Sequence, residues 1–236
     1  MSSTSKLHAA PRFAAEDAAR SEADRGLPSL PAGSRTLALL PGSRRQEVRE
    51  ILPAQLRVAA ALQRDDASFV PVVSCQRPAL RAEVERRIAA GPTAARIHEG
   101  PVHDLQRSAD LALVCSGTAT LEQAWYGTPM VVLYAASEVE RALYRGLSVA
   151  PHFALVNLFA GREVVPEVLF TPGDEEAVIR RARPLVAGPV RERVERDLAA
   201  LRADRFHLGA AERAADEIVT FLGERLGRGE PRSEGS

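Results

Sequence analysis

Two short turns rich in small residues have the composition of an anion site. Pro41-Gly42-Ser43-Arg44 follows an apolar run and precedes a helical stretch. Gly42 lets the backbone approach a ligand closely, Ser43 offers a hydroxyl and an N-cap, and Arg44 offers a guanidinium for phosphate. An ordinary strand-to-helix turn with a solvated arginine has the same sequence. These four residues alone are therefore a weak signal.

The second turn, Ser116-Gly117-Thr118, lies between another apolar run and another helical stretch. Backbone N–H groups at a helix N-terminus suit a diphosphate. With Thr118 as the N-cap, the capping-box position falls on Leu121, so a capping box does not explain Glu122. Glu122 lies at the depth at which a carboxylate can accept hydrogen bonds from the two hydroxyls of a ribose. A glutamate favoured by the helix dipole is an equally good explanation.

Signatures of other chemistries are absent from the sequence. Neither G-x-G-x-x-G nor G-x-x-x-x-G-K-[ST] occurs, and Ser116 lies in C-S-G-T rather than in G-x-S-x-G. The histidines have no metal-ligand spacing with one another or with Cys75 and Cys115, so we expect no metal and no cofactor. His103 with Asp104 is expected to open a short helix.

The elements that must position these turns alternate between strands and helices. Short apolar runs predict strands buried on both faces at residues 36–40, 69–74, 111–115 and 130–134, with 153–156 as a further candidate. Helical spacing of apolar residues predicts helices at 48–63, 78–89, 118–126, 175–186, 190–201 and 210–226. The alternation predicts an α/β fold with a doubly wound parallel sheet, in which ligands bind beyond the carboxyl ends of the strands.

Composition limits the class of partner. Thirty-one Lys and Arg residues balance thirty-one Asp and Glu residues, so no overall field recruits nucleic acid and any anion site must be local. A chain of 236 residues suits one domain with extensions. Residues 1–20 have no apolar stretch of signal-peptide length, and no apolar run reaches eighteen residues, which predicts a cytoplasmic protein with at most a peripheral contact at the inner membrane.

Three long segments resemble one known family. LALLPGSRRQEV (37–48), ADLALVCSGTATLEQAWYGTPMVVLY (109–134) and FALVNLFAGREVVPEVL (153–169) are similar to segments of the lipid-A-disaccharide synthases, which are GT-B-fold glycosyltransferases. DRGLP (24–28) resembles the link by which that family enters its second domain. The resemblance implies a Rossmann-like, UDP-sugar donor-binding half at residues 34–226, with carboxyl-terminal helices, an N-terminal extension and linker at 1–33, and a disordered tail at 227–236.

The resemblance also implies a reaction and a set of site residues. The family transfers 2,3-diacylglucosamine from its UDP donor to 2,3-diacylglucosamine 1-phosphate, releasing UDP, in lipid A biosynthesis. By position in the matching motifs, the diphosphate is expected to lie at Gly42, Ser43, Arg44, Ser116, Gly117 and Thr118. The ribose is expected at Glu122, and the cleft near the donor is expected to be lined by Asn157, Arg162 and Glu163.

The sequence departs from the family in one respect. Family members carry an acceptor-binding domain with the general base ahead of the linker, whereas about thirty residues precede Leu37 here. We therefore expect the base in a missing domain, supplied by a separate polypeptide, and we expect the face that this domain would cover to favour self-association or capture of a partner. The alternatives are a catalytically inactive UDP-sugar-binding module and a UDP-sugar epimerase-like enzyme on the same fold.

Overall fold

A six-stranded parallel sheet runs through the molecule in the order β3-β2-β1-β4-β5-β6. The computed structural model describes residues 30–136 and 152–205. The strands are β1 (Arg35–Leu40), β2 (Phe69–Ser74), β3 (Arg96–His98), β4 (Leu111–Cys115), β5 (Met130–Ala135) and β6 (Glu167–Phe170). The predicted α/β class with a doubly wound parallel sheet is confirmed.

The central strands consist of apolar residues because helices cover both of their faces. In the register of β1 with β4, Leu37 lies opposite Leu111 and Leu39 lies opposite Leu113, and all four side chains are completely buried. Continuous apolar runs of this kind are typical of parallel sheets. The predicted strands at 36–40, 69–74, 111–115 and 130–134 match β1, β2, β4 and β5 to within one residue.

Seven helices accompany these strands in the described part of the chain; five lie between strands and the last two follow β6. They are α1 (Arg45–Asp65), α2 (Arg81–Ala89), α3 (Val102–Ser108), α4 (Ala119–Trp125), α5 (Leu155–Ala160), α6 (Glu176–Ala182) and α7 (Pro189–Arg205). Short 3₁₀ turns at Pro78–Leu80 and Arg183–Leu185 begin the predicted helix at 78–89 and end the one at 175–186. The short helix predicted at His103 is confirmed as α3. The predicted helix 210–226, the linker motif 24–28 and the tail 227–236 lie outside the described residues, and the domain bounds stay predictions.

The candidate strand at 153–156 is wrong, because this segment enters helix α5. Apolar residues continue at helical spacing beyond Val156, and a four-residue apolar run does not distinguish a strand from a buried helix. The Glu167 carboxylate accepts the backbone N–H groups of Phe153, at 3.2 Å, and Ala154, at 2.7 Å, just ahead of the helix. Gly161, with φ +69°, ends the helix in the left-handed conformation.

The chain adds strands on one side of β1 up to β3 and then on the other side from β4 onwards. In a parallel sheet, a ligand site forms at the position between β1 and β4 where this change occurs. The sheet grows from β1 through β2 to β3 on one side and from β4 through β5 to β6 on the other. Helix α1 packs against α2 and α6, whereas α4 packs against α3, α5 and α7. Loops that leave β1 and β4 therefore separate towards different helices and leave a crevice at the carboxyl edge.

Candidate functional site

A cavity of about 530 Å³ opens at this crevice between the ends of β1 and β4. Its volume falls within the range of about 300–1,000 Å³ that is usual for small-molecule sites. The structure brings seven of the predicted site residues together along its wall. These are Gly42, Ser43, Arg44, Ser116, Gly117, Thr118 and Glu122.

In the turn after β1, a carboxylate of the protein already holds the backbone N–H groups. Glu47 accepts hydrogen bonds from the N–H of Ser43 at 2.8 Å and of Arg44 at 3.0 Å, and from the Arg44 guanidinium at 2.7 Å. The expectation that Ser43 is the N-cap is wrong, because α1 starts one residue later and Arg44 takes that position. Glu47 then lies at the third helical position, where a glutamate can reach back to the N-cap amide.

Gly42 is required at its position by this carboxylate as well as by the backbone. Its φ of +102° lies in the region that favours glycine. A Cβ atom built on Gly42 would lie 2.9 Å from the Cβ and Cδ atoms of Glu47, which is too close for an ordinary contact. The glycine therefore makes room for Glu47 as much as for a ligand.

The turn after β4 has backbone N–H groups that are still available. The Ser116 N–H donates to the Leu133 carbonyl oxygen at 2.9 Å, but the N–H groups of Gly117 and Thr118 have no hydrogen-bond partner within residues 30–136 and 152–205. Thr118 is the N-cap residue of α4, as expected, although its side chain does not cap the helix. The two turns thus differ: the first presents a guanidinium, and the second presents amides.

Glu122 lies on the first full turn of α4, half-buried against the cavity. Burial raises the pKa of this carboxyl group, and a hydrogen bond from Gln106 partly opposes that shift. Gln106 is completely buried and its amide nitrogen also donates to the Ala119 carbonyl oxygen at 3.2 Å. Gln106 therefore fixes the carboxylate relative to the start of α4.

Other residues of the cavity were missed by the sequence analysis. Ser74 at the end of β2 and Cys75, Gln76 and Arg77 in the turn after it line the cavity, together with apolar residues including Leu80. The sequence feature that could have revealed them is their position at or directly after the end of the predicted strand 69–74. Because the sequence SCQR has neither glycine nor an obvious helix start, composition alone did not select it.

A second cavity of about 560 Å³ adjoins the first on the other side of Ser116. The two cavities share Arg44, Glu47, Cys115 and Ser116. Cys115 is partly buried between them, and burial raises the pKa of its thiol to about 12. The remainder of the second cavity is lined by Gln46, Glu50, Ile51, Tyr134, Ala135, Ala136 and Pro172.

Asn157, Arg162 and Glu163 do not line either cavity. Asn157 is completely buried, and its side chain bonds to backbone groups of Val164 and Val165. Arg162 pairs with Asp197 at 3.0 Å, and Glu163 pairs with Arg181. The structure thus gives all three residues structural contacts, and their place near the donor stays a prediction.

No helix that the structure describes is long and apolar enough to cross a membrane. No group of three or more His, Cys, Asp or Glu side chains in residues 30–136 and 152–205 is placed to hold a metal ion.

The strand order and the crevice define the class as the Rossmann-like half of a GT-B glycosyltransferase fold. The glycosyltransferase WaaG has a TM-score of 0.54 at 17% identity, with 80% of this chain and 48% of that chain covered. A co-structure of MnaA from S. aureus with UDP also has a TM-score of 0.54, at 15% identity, covering 88% of this chain and 50% of that one. At these identities the likeness shows the fold.

The family follows from the sequence comparisons. A family model described as lipid-A-disaccharide synthetase matches residues 14–217. This chain belongs to the lipid-A-disaccharide synthase family. Relatives of that name are 38% identical over 208 residues in Anaeromyxobacter sp. (strain K) and 35% identical over 190 residues in Syntrophus aciditrophicus, and they cover 85% and 79% of this chain. The matches cover 53% and 49% of those relatives, so the chain spans about half of their length.

Proposed function

We propose that this chain is the donor-binding half of a lipid-A-disaccharide synthase-type glycosyltransferase. In this proposal, 2,3-diacylglucosamine passes from its UDP donor to 2,3-diacylglucosamine 1-phosphate and UDP is released. The observation that carries the proposal is the cavity at the β1–β4 crevice, where both motif turns and Glu122 come together in a member of this family.

Each part of UDP has suitable protein groups in this cavity. The Arg44 guanidinium and the available N–H groups of Gly117 and Thr118 suit the diphosphate, whose charge grows as the bond to the sugar breaks. The Glu122 carboxylate suits the ribose hydroxyls. The second cavity meets the first at Ser116 and Arg44, so we place the glucosamine of the donor there. In this arrangement, cations and amides stabilise the departing diphosphate without a metal ion.

The acceptor-binding surface and the general base belong, in this proposal, to the part of the relatives that this chain does not match. A transfer to a sugar hydroxyl needs a base within hydrogen-bond reach of that hydroxyl. It also needs a surface that holds the acceptor against the donor. The family match favours this transferase function over the epimerase alternative. Peripheral contact with the inner membrane is part of the same proposal, since both sugars carry acyl chains.

Calorimetric titration of the 236-residue chain with UDP, with and without EDTA, tests the donor site. We expect UDP to bind with EDTA present. Uridine should bind more weakly, because it lacks the diphosphate. Glu122→Ala should weaken both ligands alike. Absence of heat at high UDP concentration, or complete dependence on a divalent ion, contradicts the proposal.

A chimaera tests the transfer reaction. The matching half of the Anaeromyxobacter relative is replaced by this chain, and the product is assayed with both lipid substrates in detergent. Disaccharide formation that is lost on Glu122→Ala, and kept on the exposed and distant substitution Arg64→Gln, supports the proposal. A chimaera that is folded and binds UDP but forms no disaccharide contradicts the transferase function.

A further inference from the structure

The turn after β2 brings a second guanidinium to the first cavity. Arg77 lines this cavity, and its Nη1 donates a hydrogen bond to the Ser43 carbonyl oxygen at 3.0 Å. The contact joins the turn after β2 to the turn after β1. Arg77 therefore lies beside the motif turn, although 33 residues separate it in sequence from Arg44.

We propose that Arg77 binds the diphosphate of the nucleotide together with Arg44; this inference rests on the proposed function. The first support is geometric, since both arginines line one cavity and Arg77 is held to the backbone of Ser43. A guanidinium has five N–H donors, and the carbonyl of Ser43 occupies only one of its nitrogens. The others remain for phosphate oxygens.

The second support is the balance of charge around the cavity. Arg44 lies 2.7 Å from a Glu47 oxygen, and this carboxylate also takes the Ser43 and Arg44 amides. The charge of Arg44 is therefore partly neutralised before any ligand arrives. Arg77 has no carboxylate partner in the portions of the chain that the structure describes. Of the two arginines that line the cavity, Arg44 is paired with a carboxylate and Arg77, among the described residues, is not.

A purely structural role for Arg77 predicts a different result from a ligand contact. If Arg77 only ties the two turns together, its loss disturbs the whole cavity and raises the Kd for uridine and the Kd for UDP by the same factor. If Arg77 contacts the diphosphate, its loss weakens UDP and leaves uridine unchanged, because uridine has no phosphate.

The experiment compares UDP and uridine binding to the full chain, to Arg77→Gln and to Arg45→Gln. Arg45 is the matched control, since it is exposed, lies next to Arg44 and lines neither cavity. We expect Arg77→Gln to raise the Kd for UDP about tenfold, as for loss of a charge-assisted hydrogen bond, with the Kd for uridine unchanged. Arg45→Gln, which removes the same charge, should bind both ligands like the parent. Arg77→Lys keeps the charge and should lose less UDP affinity than Arg77→Gln.

Three outcomes overturn the inference. Equal weakening of UDP and uridine by Arg77→Gln shows a structural tie. Parental UDP affinity in Arg77→Gln shows that Arg77 does not contact the diphosphate, and it leaves the proposed function standing. A parent protein that binds UDP no more tightly than uridine has no diphosphate site, and this result overturns the proposed function as well.

Discussion

The charge of Glu122 suits the proposed contact with the ribose but is unfavourable for folding. Burial raises the pKa of its carboxyl group, so the folded protein disfavours the ionised form relative to the unfolded chain. A group with a raised folded pKa of this kind contributes most to stability below its unfolded pKa, and this contribution is lost as the pH rises through the folded pKa. At neutral pH the ionised Glu122 therefore lowers the stability of the protein.

The substitution Glu122→Gln separates these two effects. The neutral amide can still accept the hydrogen bond from Gln106, so we expect a higher thermal midpoint than the parent at neutral pH. The difference should shrink as the pH falls and the parent carboxyl becomes protonated. Uridine binding should weaken in the variant at neutral pH, because the amide accepts the ribose hydroxyls less strongly. Melting curves and uridine titrations at neutral and acid pH measure both effects; a lower midpoint at neutral pH contradicts this account.

Gly33, in the turn ahead of β1, is a matched control for Gly42 in the turn after β1. Both have positive φ, +102° at Gly42 and +79° at Gly33, but a Cβ on Gly33 would meet no atom within 4 Å, whereas one on Gly42 would press on Glu47. We expect Gly33→Ala to lower the free energy of unfolding by about 1 kcal/mol, for the backbone conformation alone. Gly42→Ala should cost about 1–2 kcal/mol more, because Glu47 must leave the Ser43 and Arg44 amides. Urea unfolding measures both; equal losses would show that Glu47 moves without cost.

At the scale of elements, α5 and β6 are joined through buried polar contacts. The Asn157 amide donates to the Val165 carbonyl oxygen at 2.9 Å, and its oxygen accepts the N–H groups of Val164 and Val165 at 2.8 and 3.1 Å. These bonds satisfy the backbone just ahead of β6. Asparagine therefore shapes this connection from the interior, away from both cavities.

Asn157→Ala is expected to lower the free energy of unfolding by about 2–4 kcal/mol, because three buried backbone groups lose their partners. Arg162→Ala is the control within the same motif. Its ion pair with Asp197 is about half exposed on the arginine side. Its loss should cost at most about 1 kcal/mol. Chemical unfolding gives both values, and UDP titration of Arg162→Ala should match the parent. A much weaker UDP affinity in Arg162→Ala would instead support its predicted place near the donor.

The strands that the sequence predicted are those with long apolar runs. Strand β3 has only Ile97 as an apolar residue, and β6 begins with the charged Glu167, so neither shows such a run. The two turns of small residues were selected because each follows an apolar run and precedes a helical stretch. The role of Glu47 was missed because a shift of one residue in the start of α1 decides which side chain takes the free amides. Arg77 was missed because its proximity to Ser43 arises only when β2 pairs beside β1.

At the scale of the whole molecule, an ion pair connects α1 to the segment after β6. Arg57 Nε donates to Glu175 at 2.7 Å, and the Gly173 N–H donates to the same carboxylate at 2.8 Å. Burial works to raise the pKa of Glu175, but the hydrogen bonds from Arg57 and Gly173 outweigh it, and the pKa is lowered. A lowered folded pKa means that this carboxylate stabilises the fold above its unfolded pKa, and that the effect is lost as the pH falls through the folded pKa.

Arg57→Met leaves the Glu175 carboxylate buried without its main partner. We expect a loss of about 2–4 kcal/mol in the free energy of unfolding at neutral pH, somewhat below the usual cost for a fully buried pair because Arg57 is partly exposed. The loss should diminish in acid, where protonated Glu175 no longer needs a cation. Urea unfolding of the parent and of Arg57→Met, at neutral and at acid pH, measures the difference in the free energy of unfolding. A loss that is independent of pH would assign the effect to packing of the arginine stem.

The wall that the two cavities share has a consequence for inhibitor design. Because Ser116 and Arg44 border both spaces, a small fragment seated in one cavity ends near the entrance of the other. Two weak fragments joined across this wall bind as one molecule, and the second contact then occurs at the high effective concentration that a short linker provides. Fragment screening against each cavity, followed by linking across Ser116, is therefore a direct route to a tight ligand for this protein.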